Sequence, residues 1–185
     1  MKNVLVISGH TDLNDSVANK IVLEELKKAL PQAEFDILSE EYPTFNINVE
    51  AEQHKLRKAD VIVWQFPVFW YSMPSILHRW IEKVCVHGFA HGSTGTALEG
   101  KKLIPSFTTG APEVYYSHEA LGYTIDELIG SQIKSIAGLC KLDLQPSVYT
   151  GGVSYALRSD AQQLEEIKKL SKEHAERLLE QIKQA

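Results

Sequence analysis

The sequence predicts a three-layer α/β domain built on a five-stranded parallel sheet. Three observations carry this expectation. Runs such as Val4-Leu5-Val6-Ile7 and Val61-Ile62-Val63-Trp64 are apolar without alternation, as in strands covered on both faces. Segments with helical apolar spacing lie between such runs. The 185 residues are 44% hydrophobic, enough for one compact core, so a single domain over residues 1–185 is expected, with no repeat, linker or low-complexity tract.

In chain order, Val4 to Ile7 forms the first strand and ends at Ser8-Gly9. From Ser16 to Leu30, the positions Val17, Ile21, Val22, Leu26 and Leu30 mark a surface helix that Pro31 stops. Phe35 to Leu38 reads as a second strand, Val49 to Lys58 as a helix, and Val61 to Trp64 as a third strand, with Pro67 breaking the pattern. Pro74 suits the first turn of a helix whose stripe is Ile76, Leu77, Trp80, Ile81, Val84 and Cys85. Four glycines between Val86 and Gly100 indicate a long loop. Lys102 to Thr109 forms a fourth strand, Tyr123 to Cys140 a helix, Leu142 to Tyr149 a fifth strand, and Ser159 to Ala185 a closing helix with a solvated charged face.

Composition excludes several function classes. With 19 basic and 24 acidic residues the net charge is −5, which gives no general attraction to nucleic acid or anionic lipid. No stretch approaches the roughly eighteen uncharged apolar residues of a spanning helix, and Met1-Lys2-Asn3 leads straight into a strand rather than a signal peptide, so a cytoplasmic location is expected. Cys85 and Cys140 lie within apolar helical patterns without CxxC spacing and are expected to be buried, inert thiols. His87 and His91 stand four apart in a glycine-rich loop with no third ligand, so no metal site is expected. There is no GxSxG elbow, GxGxxG fingerprint or P-loop.

In a parallel sheet of order 2-1-3-4-5, ligands bind beyond the carboxyl ends of the strands at the point where strand order reverses. The loops after strands one, three and four should therefore converge. Ser8 to Ser16 brings hydroxyl, imidazole and amide donors to a helix N-terminus, which suits a phosphate if Asp12 and Asp15 point away. Gln65 to Pro74 places three adjacent aromatics between two prolines, a rigid turn fit to hold rings and amides against a planar ligand. Thr108-Thr109-Gly110-Ala111-Pro112, followed by Tyr115 and Tyr116, lets backbone come close.

The sequence resembles the flavodoxin-like NAD(P)H:quinone oxidoreductases, especially the short bacterial quinone reductases that include ancillary proteins of glutathione-gated potassium efflux systems. The resemblance is carried in order across about residues 2 to 155 by His10 and Ser16-Val17-Ala18-Asn19, by Tyr42-Pro43-Thr44-Phe45-Asn46, by Ala59 through Pro74, by His87-Gly88-Phe89-Ala90, and by Thr108-Thr109-Gly110. It implies a flavodoxin-like fold, bound FMN, NAD(P)H as electron donor, quinone-like acceptors and a homodimer with its pocket near the interface.

By position, the resemblance assigns His10, Ser16, Val17, Ala18 and Asn19 to the phosphate and ribityl chain. It assigns Pro67, Val68, Phe69, Trp70 and Tyr71, with Thr108, Thr109, Gly110 and Ala111, to the isoalloxazine. Tyr116 is the catalytic candidate, a hydroxyl donor for charge that develops on the flavin. Ala111 replaces a second family glycine, and Gly122 replaces a histidine that assists the tyrosine in longer animal enzymes. FMN is preferred to FAD because the chain ends soon after its last helix. The alternatives are a regulatory subunit docking on a potassium antiporter, a membrane-transporter partner, and a flavodoxin-type electron carrier.

Overall fold

The computed structural model describes residues 2–185; Met1, on which part of the N-terminal reading falls, lies outside the described residues. Strands β1 (Val4–Ser8), β2 (Glu34–Ile37), β3 (Val61–Pro67), β4 (Lys102–Thr108), β5 (Asp143–Leu144) and β6 (Val148–Thr150) form one parallel sheet in the order β2-β1-β3-β4-β5, with β6 also paired to β4. Helices α1 (Ala18–Ala29) and α6 (Ala161–Gln184) pack on one face, while α4 (Ser75–Val84) and α5 (Ser131–Leu139) pack on the other. Two short helices, α2 (Leu38–Glu41) and α3 (Val49–Lys58), complete the second layer. This is the expected flavodoxin-like arrangement.

The period of two in each strand decides which side chain meets which layer. Leu5, Ile7, Ile62, Trp64, Leu103 and Phe107 face Ile76, Leu77 and Trp80 of α4 and Ile133 of α5. Val6, Val61, Val63 and Ile104 face Val22 and Leu26 of α1 and Leu178 and Ile182 of α6. Gly9 directly follows β1 because a Cβ there would stand 2.9 Å from Leu77 Cβ; α4 crosses that close.

The structure corrects several boundaries. The first helix begins at Ala18, not Ser16, although Ser16 Oγ still accepts from Asn19 N at 3.2 Å. The second strand stops at Ile37, where Leu38 opens α2. Strand β3 runs on through Pro67, in register with Thr108, and β4 stops at Thr108. Pro74 is the residue before α4 rather than part of it. Ahead of α5, Asp126–Gly130 forms a π turn. The fifth strand is two strands. Lys102 pairs with Asp143 and Leu103 with Leu144, but Ser106 pairs with Val148, so residues 145–147 oppose only 104–105. Pro146 occupies that bulge on the sheet edge, where no ladder donor is required.

One buried charge cluster ties the second layer together. Glu52 of α3 accepts from Tyr42 Oη at 2.6 Å, Lys55 Nζ at 2.7 Å and Trp80 Nε1 at 2.8 Å. Asp36 of β2 has Lys55 Nζ at 3.1 Å and the Glu52 carboxylate as neighbours. Burial and that second acid push its pKa up to about 8.

Candidate functional site

The carboxyl ends of β1, β3, β4 and β6 surround a cavity of about 470 Å³. Its wall contains His10, Ser16, Val17, Ala18, Asn19, Pro67, Val68, Phe69, Thr108, Thr109 and Gly110. Three loops from distant parts of the chain thus meet where the sheet topology requires. Volume and a mixed lining are those of a small-molecule site.

Hydrogen bonds separate the two adjacent threonines. Thr109 Oγ1 donates to the Ala111 carbonyl and takes a bond from Tyr149 Oη, both at 2.8 Å, so its proton stays within the chain. Burial pushes the Tyr149 phenol up to about 12, which keeps it a donor. Thr108 Oγ1 instead accepts from Asn19 Nδ2 at 3.1 Å, and its own proton has no acceptor among the described residues.

His10 is buried, and its Nδ1 accepts from Asp12 N at 3.1 Å. The neutral ring therefore carries its proton on Nε2. Burial holds the imidazole below its usual pKa, partly offset by the Asp12 and Asp15 carboxylates. Both acids line the cavity, yet both are engaged: Asp12 Oδ1 accepts from Asn14 N at 3.1 Å, and Asp15 lies 3.6 Å from Arg158. At the same end Val17 and Ala18 open α1, and the first amides of a helix have no intrahelical acceptor.

The aromatic turn is a two-residue hairpin. Phe69 and Ser72 exchange both backbone hydrogen bonds at 3.0 Å, leaving Trp70 at φ 49° and Tyr71 at φ 62°. Bulky side chains seldom take this left-handed conformation. Phe69 reaches the cavity and meets His10 edge-on with ring centroids 5.4 Å apart. Trp70 does not line the cavity; it is 95% exposed, and Tyr71 is also exposed. Ala111 and Tyr116 likewise lie outside the cavity wall. Tyr116 is half-buried beside Thr109, Tyr71, Tyr123 and Tyr115, and burial raises its pKa, with the neighbouring phenols adding to the effect. Gly122 sits at φ 81° in a turn where its carbonyl meets His118 Nδ1 at 3.1 Å.

Sequence reasoning missed a fourth loop. Val153, Ser154 and Tyr155 line the cavity, with Ile167 of α6 behind them. They are positioned because β6 ends abreast of β4, Thr108 opposite Thr150, and Gly152 turns at φ 79° so that Gly152 N and Val153 N bond Ala111 O and Thr109 O. The Gly151-Gly152 pair was the available signal. Also unforeseen was His174, fully buried on α6 between Ser106 and Thr150. The two cysteines correct a further expectation. They cap the C-termini of α4 and α5, Cys85 is only partly buried, and their thiols touch, a contact that with burial raises the Cys85 pKa.

His87 and His91 meet edge-on with centroids 5.7 Å apart, and no cluster of three metal-binding side chains exists among the described residues. No described helix is long and apolar enough to cross a membrane.

A model of the flavodoxin-like fold family matches residues 2–176. Over 146 residues, 77% of this chain and 80% of the relative, the sequence is 39% identical to the glutathione-regulated potassium-efflux system ancillary protein KefF of Enterobacter sp. (strain 638). Among solved structures, general stress protein 14 of Treponema denticola, in complex with FMN, superposes with a TM-score of 0.82 at 27% identity, covering 93% of this chain and 95% of that one. The NADPH-quinone reductase of P. pentosaceus superposes with a TM-score of 0.75 at 27% identity, covering 95% and 96%.

Proposed function

This chain belongs to the flavodoxin-like fold family, and from that premise we propose that it is an FMN-dependent NAD(P)H:quinone oxidoreductase. The observation that carries the reading is a cavity whose wall combines hydrogen-bond donors with an apolar face. His10 Nε2, the Ser16 and Thr108 hydroxyls and the first amides of α1 offer donors, which suits a phosphate. Beside them Pro67, Val68, Phe69 and Gly110 form a low-polarity slot that suits a flat ring. The residues present therefore fit FMN, as does the FMN bound to the Treponema denticola relative. The quinone reductase of P. pentosaceus supports the reaction class.

Bound FMN would supply the two-electron exchange between a nicotinamide and a quinone that side chains cannot perform. The chain contributes placement. The α1 dipole and amides hold the phosphate, while Asn19, fixed between Gln65 and Thr108, keeps α1 in register with β4. Phe69 walls the slot against water, and a second copy of the chain would cover the outward-facing Trp70 and Tyr71 of that turn. Donor and acceptor would occupy the same slot in turn. Steady-state lines at varied NADPH and quinone are expected to be parallel; intersecting lines, or no flavin-dependent turnover with any quinone or azo dye, would sink the proposal.

Tyr116 is the proposed proton-holding group. Its phenol stands beside Thr109, a residue of the cavity wall, and a fixed donor there stabilises charge developing on a bound ring better than water does. Tyr116→Phe should slow flavin reduction several-fold, about 1 kcal/mol for one lost hydrogen bond, with FMN affinity unchanged. Slowing by Tyr115→Phe alone would move the role to that neighbour.

The KefF relative favours a second role, a regulatory contact with a potassium-efflux transporter. Co-purification with such a transporter would support it, and its failure with every candidate transporter would remove it.

A further inference from the structure

Behind the cavity, an unbroken file of hydrogen bonds runs from α6 to Thr108. Arg177 Nη2 donates to Thr150 Oγ1 at 2.6 Å and to the Tyr149 carbonyl at 3.0 Å. Thr150 Oγ1 lies 2.9 Å from His174 Nδ1, and His174 Nε2 lies 2.7 Å from Ser106 Oγ. Ser106 Oγ meets Gln65 Oε1 at 2.5 Å, Gln65 Nε2 meets Asn19 Oδ1 at 2.8 Å, and Asn19 Nδ2 meets Thr108 Oγ1 at 3.1 Å. Between Arg177 and the cavity every one of these side chains is buried.

Such a file can run in two directions, because hydroxyls, amides and a neutral imidazole can each exchange donor and acceptor roles. Arg177 cannot. A guanidinium only donates, so the Thr150 oxygen accepts from it and directs its own proton to His174 Nδ1. His174 then carries its proton on Nε2 and passes it to Ser106, Ser106 donates to the Gln65 carbonyl, and each amide donates to the next oxygen. Reversal would satisfy the Thr108 proton on Asn19 but would strand the Thr150 proton in the interior beside a cation, a buried donor without an acceptor. The file needs a neutral ring, and burial, aided by the Arg177 charge, pushes the His174 pKa down to about 3.

We propose that Arg177, acting through Thr150 and His174, sets the direction of this file so that the Thr108 hydroxyl is presented to the cavity as a donor for an acceptor oxygen of the bound flavin nucleotide. The ligand half of this proposal rests on the FMN reading above; the direction of the file does not. Arg177 and His174 are thus positioning residues, remote from the ligand. They make the cavity selective for an acceptor at the Thr108 position.

Two measurements test this on the purified protein. Long-range ¹⁵N–¹H spectra should find the His174 proton on Nε2, whether or not flavin is present; a proton on Nδ1 overturns the proposal. FMN dissociation constants, read from flavin fluorescence recovered on diluting the holoprotein, should form a non-additive cycle. Thr108→Val should weaken binding about tenfold and Thr108→Ser by no more than about twofold, the first being the loss expected for one hydrogen bond. Arg177→Met should weaken binding several-fold in the native background and have no further effect in Thr108→Val. Losses that multiply in the double variant would overturn the coupling through Thr108, and native melting temperatures confirm that the variants remain folded. A chain that binds no FMN would defeat the functional reading, while the His174 tautomer would still decide the direction of the file.

Discussion

Glu52→Ala is expected to destabilise the fold by about 2–6 kcal/mol, about 1–3 kcal/mol for each of two buried donors left without an acceptor. The carboxylate is the common acceptor for Tyr42, Lys55 and Trp80; removing it strands the Tyr42 and Trp80 protons, while Lys55 keeps Asp36 at 3.1 Å. Because Trp80 lies on α4, immediately after the aromatic turn, the loss should reach the cavity as well. Urea unfolding monitored by tryptophan fluorescence would measure it, and a change below about 1 kcal/mol would mean that this cluster contributes no more than an ordinary surface pair.

The second large effect concerns the strained turn. Asn-Gly is the sequence that a two-residue hairpin with both central residues left-handed prefers, yet here Trp70 and Tyr71 occupy those places. Each non-glycine residue held there costs about 1–2 kcal/mol. Trp70→Asn combined with Tyr71→Gly should therefore stabilise the fold by about 1–3 kcal/mol, the scale set by those two penalties. On the proposed reading of the chain as a dimeric quinone reductase, it should at the same time lower quinone turnover by more than about tenfold and, by deleting an apolar face that includes the 95% exposed Trp70, yield a monomer in sedimentation. Thermal melting and kcat/KM measured together decide the matter. A variant both more stable and fully active would show that the aromatic surface serves neither pocket nor dimer.

The fold was legible because its signals are local and repeated. Unalternating runs such as Val61 to Trp64 declare doubly covered strands, and the stripe from Ile76 to Val84 declares a helix packed on them. What failed were features set by tertiary partners. The split of the last strand depends on a bulge across from residues 104–105, and the π turn before α5 lies in a stretch whose apolar spacing reads as one helix.

At the site, His10, Ser16 and Thr108 could be placed because strand order reverses beside β1. His174 could not, since a histidine amid the charges of a surface helix looks solvated until Ser106 and Thr150 are brought against it. The Gly151-Gly152 loop escaped notice because the edge strand, broken by Pro146, gave no clear endpoint beyond which to look. Nor does sequence separate Thr108 from Thr109. Only the packing of Tyr149 and Ala111 against the latter leaves the former free to donate.

The central claim, that this cavity holds a flavin nucleotide reduced directly by a nicotinamide, is tested most directly by anaerobic titration of the purified yellow protein with NADPH and NADH. The expected result is complete bleaching of the flavin absorbance by one equivalent of nicotinamide, with no one-electron form accumulating, followed by full recovery of colour on adding quinone. A flavin that neither nicotinamide bleaches, or that a chemical reductant takes through a stable one-electron form, would contradict it and assign the chain to one-electron transport instead.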